Sequence, residues 1–135
     1  MKNPVERLTE RLIHGDSQKA ALVFSEKNRF YFTQFPASDG ALLVTAEEAY
    51  LLMDFRYEEA AHYGARNCEV IGFDSLMEKL QELIRKHGVK AVYLETETLS
   101  VAQAQRFEKA FAAAGAEALL TPELDRAVRS LRMIK

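Results

Sequence analysis

The order of the hydrophobic segments constrains this chain most. Two apolar runs in the first half, Ala41 to Thr45 and Ala49 to Asp54, are separated by a few turn residues and read as strands joined in a hairpin. In the second half, strand-like runs alternate with segments of helical period. Glu69 to Phe73 is a strand, and Ser75-Leu76-Met77-Glu78 has the capping-box pattern. The helix it opens carries Leu76, Met77, Leu80, Leu83 and Ile84 on its apolar face and ends at His87-Gly88. Val89 to Glu95 is a strand rich in β-branched and aromatic residues. Ser100-Val101-Ala102-Gln103 is a second capping box, and its helix presents Val101, Ala104, Phe107 and Phe111 before stopping at Gly115.

The remaining segments complete the pattern. Asn3 and Pro4 suit an N-cap and a first helical position, and Val5, Leu8, Leu12 and Ile13 then share a face up to Gly15. Ala20 to Phe24 reads as a short buried strand. Asn28 to Phe35 reads as a short aromatic helix, and Pro36 to Gly40 as a loop. Asp54 is placed to cap a helix beginning near Arg56, with Tyr57, Ala60 and Ala61 available for packing. A short strand is expected near Leu119 and Leu120, and Thr121-Pro122 starts a last helix with Leu124, Ala127, Val128 and Leu131 on one side. A hairpin followed by alternating strands and helices predicts an α/β fold. Its mixed β-sheet has about five or six strands, with helices on both faces. A chain of 135 residues fits a single domain, 1–135.

Charge and cysteine content narrow the function classes. The formal net charge is −2 and no basic block is present, which argues against nucleic acid and anionic membrane as partners. No apolar run approaches the roughly 20 residues of a spanning helix, and the polar start lacks a signal-peptide core. Cytoplasm is the default compartment. The one cysteine, Cys68, excludes an intrachain disulfide and reads as a small strand residue rather than a nucleophile.

Patterns for catalysis are absent from the sequence. His14, His62 and His87 form neither HxxxH nor HExxH, and structural roles near helix ends suit them. The six glycines are scattered at turns and make no phosphate loop. Glu95 with Glu97, and Glu47 with Glu48, have no pattern that would drive their pKa values apart, and they read as solvated charge.

One ordered set of motifs stands out: Asn28 to Phe35, the Pro36-Ala37-Ser38-Asp39-Gly40 loop, the two strands, Asp54-Phe55-Arg56-Tyr57, and the terminal Leu131-Arg132-Met133-Ile134-Lys135. This set resembles the amino-terminal domain of the creatinase/prolidase family, which includes Xaa-Pro aminopeptidases and Xaa-Pro dipeptidases. The resemblance implies a fold with a ribonuclease H-like motif and a non-catalytic role, with no metal ligands in this chain. The final helix (about 122–135) would lead into an absent carboxy-terminal catalytic domain of the pita-bread type. The alternative for that end is a natural short chain that frays.

The resemblance also implies that the parent hydrolyses short proline-containing peptides with two divalent metal ions, manganese, cobalt or zinc. This domain would support a homodimer and restrict access to the catalytic domain. Phe35, Ser38, Asp39 and Arg56 would then lie near substrate, that of the same or of the other subunit: Phe35 as a pocket wall, Asp39 facing an ammonium group, Arg56 facing a carboxylate. Local readings stay open beside these. Phe35 packs in the core, Asp39-Gly40 makes a turn, and Asp54 caps a helix while contacting Arg56. Pro36-Ala37 departs from the family's usual glycine-containing loop. A creatinase-like C–N hydrolase and a free-standing binding module remain the other readings.

Overall fold

A computed structural model describes residues 2–37 and 39–133. The strands are β1 (Lys19–Val23), β2 (Ala41–Thr45), β3 (Ala49–Asp54), β4 (Glu69–Phe73), β5 (Ala91–Tyr93) and β6 (Glu117–Leu119). The helices are α1 (Pro4–Leu8), α2 (Glu26–Thr33), α3 (Glu58–Gly64), α4 (Leu76–His87), α5 (Val101–Ala113) and α6 (Glu123–Arg132). One six-stranded sheet runs in the order β4-β3-β2-β1-β5-β6. Strand β2 is antiparallel to both its neighbours, and every other adjacent pair is parallel. The expected α/β class, strand number and hairpin are all present.

The strands read as continuous apolar runs because both faces of the sheet are covered. Ala21, Val23, Leu42, Val44, Leu51 and Met53 point to one face, where Val5 and Leu8 of α1 and Leu124, Val128 and Leu131 of α6 meet them. Ala20, Leu22, Leu43, Tyr50, Leu52 and Val92 point to the other, under Leu80 and Ile84 of α4 and Phe107 and Phe111 of α5. The period-2 alternation of a strand thus supplies two cores from one set of runs.

Local chemistry adjusts the boundaries. Asn3 and Glu6 form a reciprocal capping box at α1. The helix then widens to a π-helical turn, Thr9–Ile13, closed by the His14 N–H donating to the Thr9 carbonyl, which lets Leu8 and Ile13 both be buried. The reversal begins at His14 itself (φ 53°), one residue before Gly15. Ser100 and Gln103 form the second reciprocal box.

Helix α2 starts earlier than the aromatic pattern suggests, with Ser25 as N-cap, and ends at Gln34 in left-handed geometry. Strand β5 is shorter than Val89 to Glu95. The Val89 N–H donates to the Ile84 carbonyl in closing α4, and Glu95 turns its side chain into the fold. After Asp54 a 3-10 turn, Phe55–Tyr57, precedes α3 rather than a helix beginning at Arg56. Of the terminal run, Ile134 and Lys135 lie outside the described residues.

Candidate functional site

Strands β1 and β3 both oppose β2, so the carboxyl ends of β1, β3, β4, β5 and β6 lie along one edge of the sheet. In open α/β sheets that edge is where ligands bind. The β2–β3 register pairs Ala41 with Leu52. Continuing it brings Asp39-Gly40, before β2, beside Met53-Asp54, at the end of β3. Two sequence-predicted segments are therefore joined at one corner by strand pairing.

Asp54 organises the first of them. Its carboxylate accepts the Arg56 main-chain N–H at 3.0 Å and the guanidinium through Nε at 3.0 Å and Nη2 at 3.3 Å. These hydrogen bonds, side chain first, hold the Asp54 carboxyl below the usual carboxylate range, and they raise Arg56 in turn. Arg56 stays 66% exposed and lies over the Tyr57 ring, 5.5 Å from its centroid. Its fork is oriented but open to solvent, flanked by the exposed rings of Phe55 and Tyr57. The local cap and an outward-facing arginine coexist.

The loop forms the other side of the corner. Phe35 is partly buried against the core, and its ring lies under Gly64 of α3, where an added Cβ would come within 2.9 Å. Ser38 lies outside the described residues. The Asp39 side chain is exposed, and its negative charge acts on Arg56 as well as on Arg29. Phe35 thus packs against α3 and the core, while Asp39 and Arg56 are both exposed.

Sequence reasoning missed two residues that build this corner. Glu95 is not solvated: it is 0% exposed. Its carboxylate accepts from the main-chain N–H groups of Phe24 (2.5 Å) and Ser25 (2.7 Å), from Ser25 Oγ (2.9 Å) and from Asn28 Nδ2 (2.7 Å). These donors surround the start of α2, where a negative charge is favoured. Arg29, one residue on, is 4% exposed. Burial pulls its guanidinium below the ordinary value, opposed by the carboxylates of Glu26, Asp39 and Glu95. The available signals were a lone acid ending an apolar run and an arginine sharing the Phe32–Thr33 face of α2. Glu97, by contrast, is partly exposed and pairs with Arg129 at 2.5 Å.

The other candidates serve the fold. His62 pairs with Glu58 at 3.2 Å within α3, and His87 Nε2 lies 2.6 Å from the Tyr50 hydroxyl. Cys68 lies just before β4, and burial pushes its thiol up to about 11, so it is a poor nucleophile at neutral pH. Among the described residues no group of three or more His, Cys, Asp or Glu is placed to hold a metal ion. A groove of about 1010 Å³ lies at the opposite end of the sheet around Glu6, Glu10, Glu47, Glu48 and Glu69. At the carboxyl edge a smaller hollow of about 250 Å³ is lined by Ser25, Arg29, Asp39, Gly40 and Gln103. Among the described residues no helix is long and apolar enough to cross a membrane.

Comparison with known proteins places this geometry. A family model described as the creatinase/prolidase N-terminal domain matches residues 5–134. The Xaa-Pro dipeptidase from Bacillus anthracis superposes with a TM-score of 0.83 at 25% identity, covering 97% of this chain and 35% of that one. The N-terminal domain of cytoplasmic peptidase PepQ from Mycobacterium tuberculosis H37Rv superposes at 0.79 with 26% identity, covering 97% of this chain and 100% of that one. An uncharacterised peptidase of Bacillus subtilis strain 168, YqhT, is 27% identical over 115 residues, 84% of this chain and 31% of that protein. The chain spans no more than about a third of the length of the curated relatives it matches.

Proposed function

The chain belongs to the creatinase/prolidase N-terminal domain family, and on that premise we propose that it is the non-catalytic partner domain of an Xaa-Pro metallopeptidase acting on short peptides in the cytoplasm. The observation that carries this reading is the corner itself. The exposed Asp39 precedes β2, and its charge acts on an Arg56 that Asp54 orients but leaves open to solvent. An exposed carboxylate and a planar cationic fork suit the ammonium and carboxylate ends of a short peptide.

The chemistry belongs to the catalytic portion that the family's longer members carry. There, two divalent ions (manganese, cobalt or zinc) would supply the activated water. This domain would contribute a rim, in a homodimer, that admits chain ends and excludes folded protein. Phe35 would support the loop that carries Ser38 and Asp39, and Arg56 would meet the free carboxylate of the substrate.

The test is kinetic. In a protein carrying this domain and its catalytic portion, Arg56→Ala is expected to raise KM for an Xaa-Pro dipeptide about tenfold and leave kcat within about twofold, the signature of lost uniform binding. An unchanged KM removes Arg56 from the substrate path. The chain by itself, loaded with manganese, should cleave no Xaa-Pro bond. Light scattering on both proteins tests the shared dimer.

A further inference from the structure

We propose that Arg29 is a positioning residue for the loop from Phe35 to Gly40, setting where Asp39 stands at the carboxyl edge, an assignment whose link to specificity rests on reading that edge as substrate-facing. Arg29 Nε donates to the Phe24 carbonyl at 3.0 Å, and Nη1 donates to the Asp39 carbonyl at 3.0 Å. One guanidinium thus ties the end of β1 to the loop that enters β2.

Both ends of this tie are constrained. The Phe24 N–H and the Ser25 N–H that follows it are held by the buried Glu95 carboxylate. A continuous path of hydrogen bonds therefore runs from Glu95 through the Phe24 residue and Arg29 to Asp39. At the far end Gly40 has φ +126°, and a Cβ there would come within 2.6 Å of the Leu52 carbonyl oxygen and 3.4 Å of Arg29 Nη1. The β3 backbone and the arginine fork both lie beside Gly40 where a side chain would stand. Pro36 has no N–H to donate, and before it the Phe35 N–H donates to Thr33 Oγ1 at 3.2 Å.

Planarity matters to this role. A guanidinium presents donors along a rigid fork and can span two carbonyls, whereas a lysine ammonium is a point donor on a flexible stem. Burial adds to the effect, because a nearly solvent-free arginine cannot exchange its carbonyl partners for water. The loop is therefore expected to lose its fixed height when the fork is lost, even if the sheet stays folded.

The experiment is backbone ¹⁵N relaxation on this chain, comparing the parent with Arg29→Ala and Arg29→Lys. Order parameters of the Ala37, Asp39 and Gly40 amides are expected to fall from about 0.85 to below about 0.6 in both variants, while the strands keep theirs. Guanidinium at tens of millimolar should restore the loop in Arg29→Ala, and methylammonium should not. A merely space-filling role would not respond to either ion. A loop that stays rigid in folded Arg29→Ala, or order lost evenly across the sheet, overturns the assignment. Should Arg29→Ala not fold, Arg29→Lys decides by the same readout.

A second arm uses a protein that carries the catalytic portion. There Arg29→Lys should raise KM for a substrate with a free amino end about tenfold, with kcat within about twofold and an amino-blocked analogue unaffected. A loosened loop with unchanged KM upholds the positioning and removes the loop from the substrate path, so the two readings fail separately.

Discussion

The Tyr50 hydroxyl lies 2.6 Å from His87 Nε2, joining the start of β3 to the last turn of α4. Tyr50 is 1% exposed, and burial raises its hydroxyl pKa above the ordinary value. Its ring meets the His87 ring with centroids 5.5 Å apart. The contact gives the Tyr50 hydroxyl a partner beside Lys86 and the half-buried His87 a partner in the sheet. Tyr50→Phe keeps the ring and removes the hydroxyl, so it isolates the hydrogen bond. It is expected to cost about 1 kcal/mol, plus part of the desolvation penalty of the His87 nitrogen. A shifted urea midpoint with unchanged slope would show this. No shift would mean that water replaces the hydroxyl.

Glu95 is the larger test of the fold. Removing its carboxylate leaves the N–H groups of Phe24 and Ser25, the Ser25 hydroxyl and the Asn28 amide without their acceptor. Glu95→Ala is expected to cost about 3–5 kcal/mol, in the range for breaking a buried charged network. Glu95→Gln keeps the shape and one acceptor oxygen and should cost less, on the order of 1–3 kcal/mol. Thermal unfolding of the two variants should rank them in that order. Equal losses would show that charge matters at this site and hydrogen-bond number does not.

Much of the fold was legible because its signals are local and repeated. The Asn3 cap and the Ser100 box lie within four residues of sequence and formed as read, while of the Ser75 box the Ser75 cap on the Glu78 N–H is present. The apolar runs at 41–45 and 49–54 became neighbouring strands. The candidate corner was legible only as two separate motifs, because the register that joins them is a long-range property. Arg29 and Glu95 were misread or passed over for the same reason. A charged residue is ordinarily exposed, and only its partners reveal otherwise. Those of Glu95 lie about 70 positions away, at Phe24, Ser25 and Asn28.

The acid limb of stability should carry opposing contributions. Asp54 and Glu97 have pKa values lowered by hydrogen bonds from Arg56 and Arg129 respectively. A lowered folded value means that the stability each adds is present near neutrality and is lost as pH falls through that value. Asp125 behaves the other way. Burial pushes it up, and the nearby Glu95 and Glu97 charges add to this, against hydrogen bonds from the Glu97 N–H and Thr96. Its protonated form is favoured in the fold, so its contribution is full below the unfolded value and falls as pH rises from about 4. Asp125→Asn keeps an acceptor for the Glu97 N–H and removes the titration. The variant should gain stability relative to the parent as pH rises above about 4, measured by unfolding at each pH. A difference that stays flat above about pH 4 would mean Asp125 titrates alike in both states.

Gly40 links the fold to the candidate site. Its φ of +126° lies where side chains are rarely found, and a Cβ would meet the Leu52 carbonyl oxygen at 2.6 Å and the Met53 sulfur at 2.9 Å. The methionine can move, but the carbonyl belongs to the β3 backbone and cannot yield without disturbing the ladder. Gly40→Ala combines backbone strain with this collision and is expected to cost about 2–4 kcal/mol. The loss should be accompanied by displaced amide resonances in the loop and at the end of β3, at Met53 and Asp54. Stability within about 0.5 kcal/mol of the parent would mean that the loop follows another path into β2, and the adjacency of Asp39 and Arg56 would then lose its structural basis.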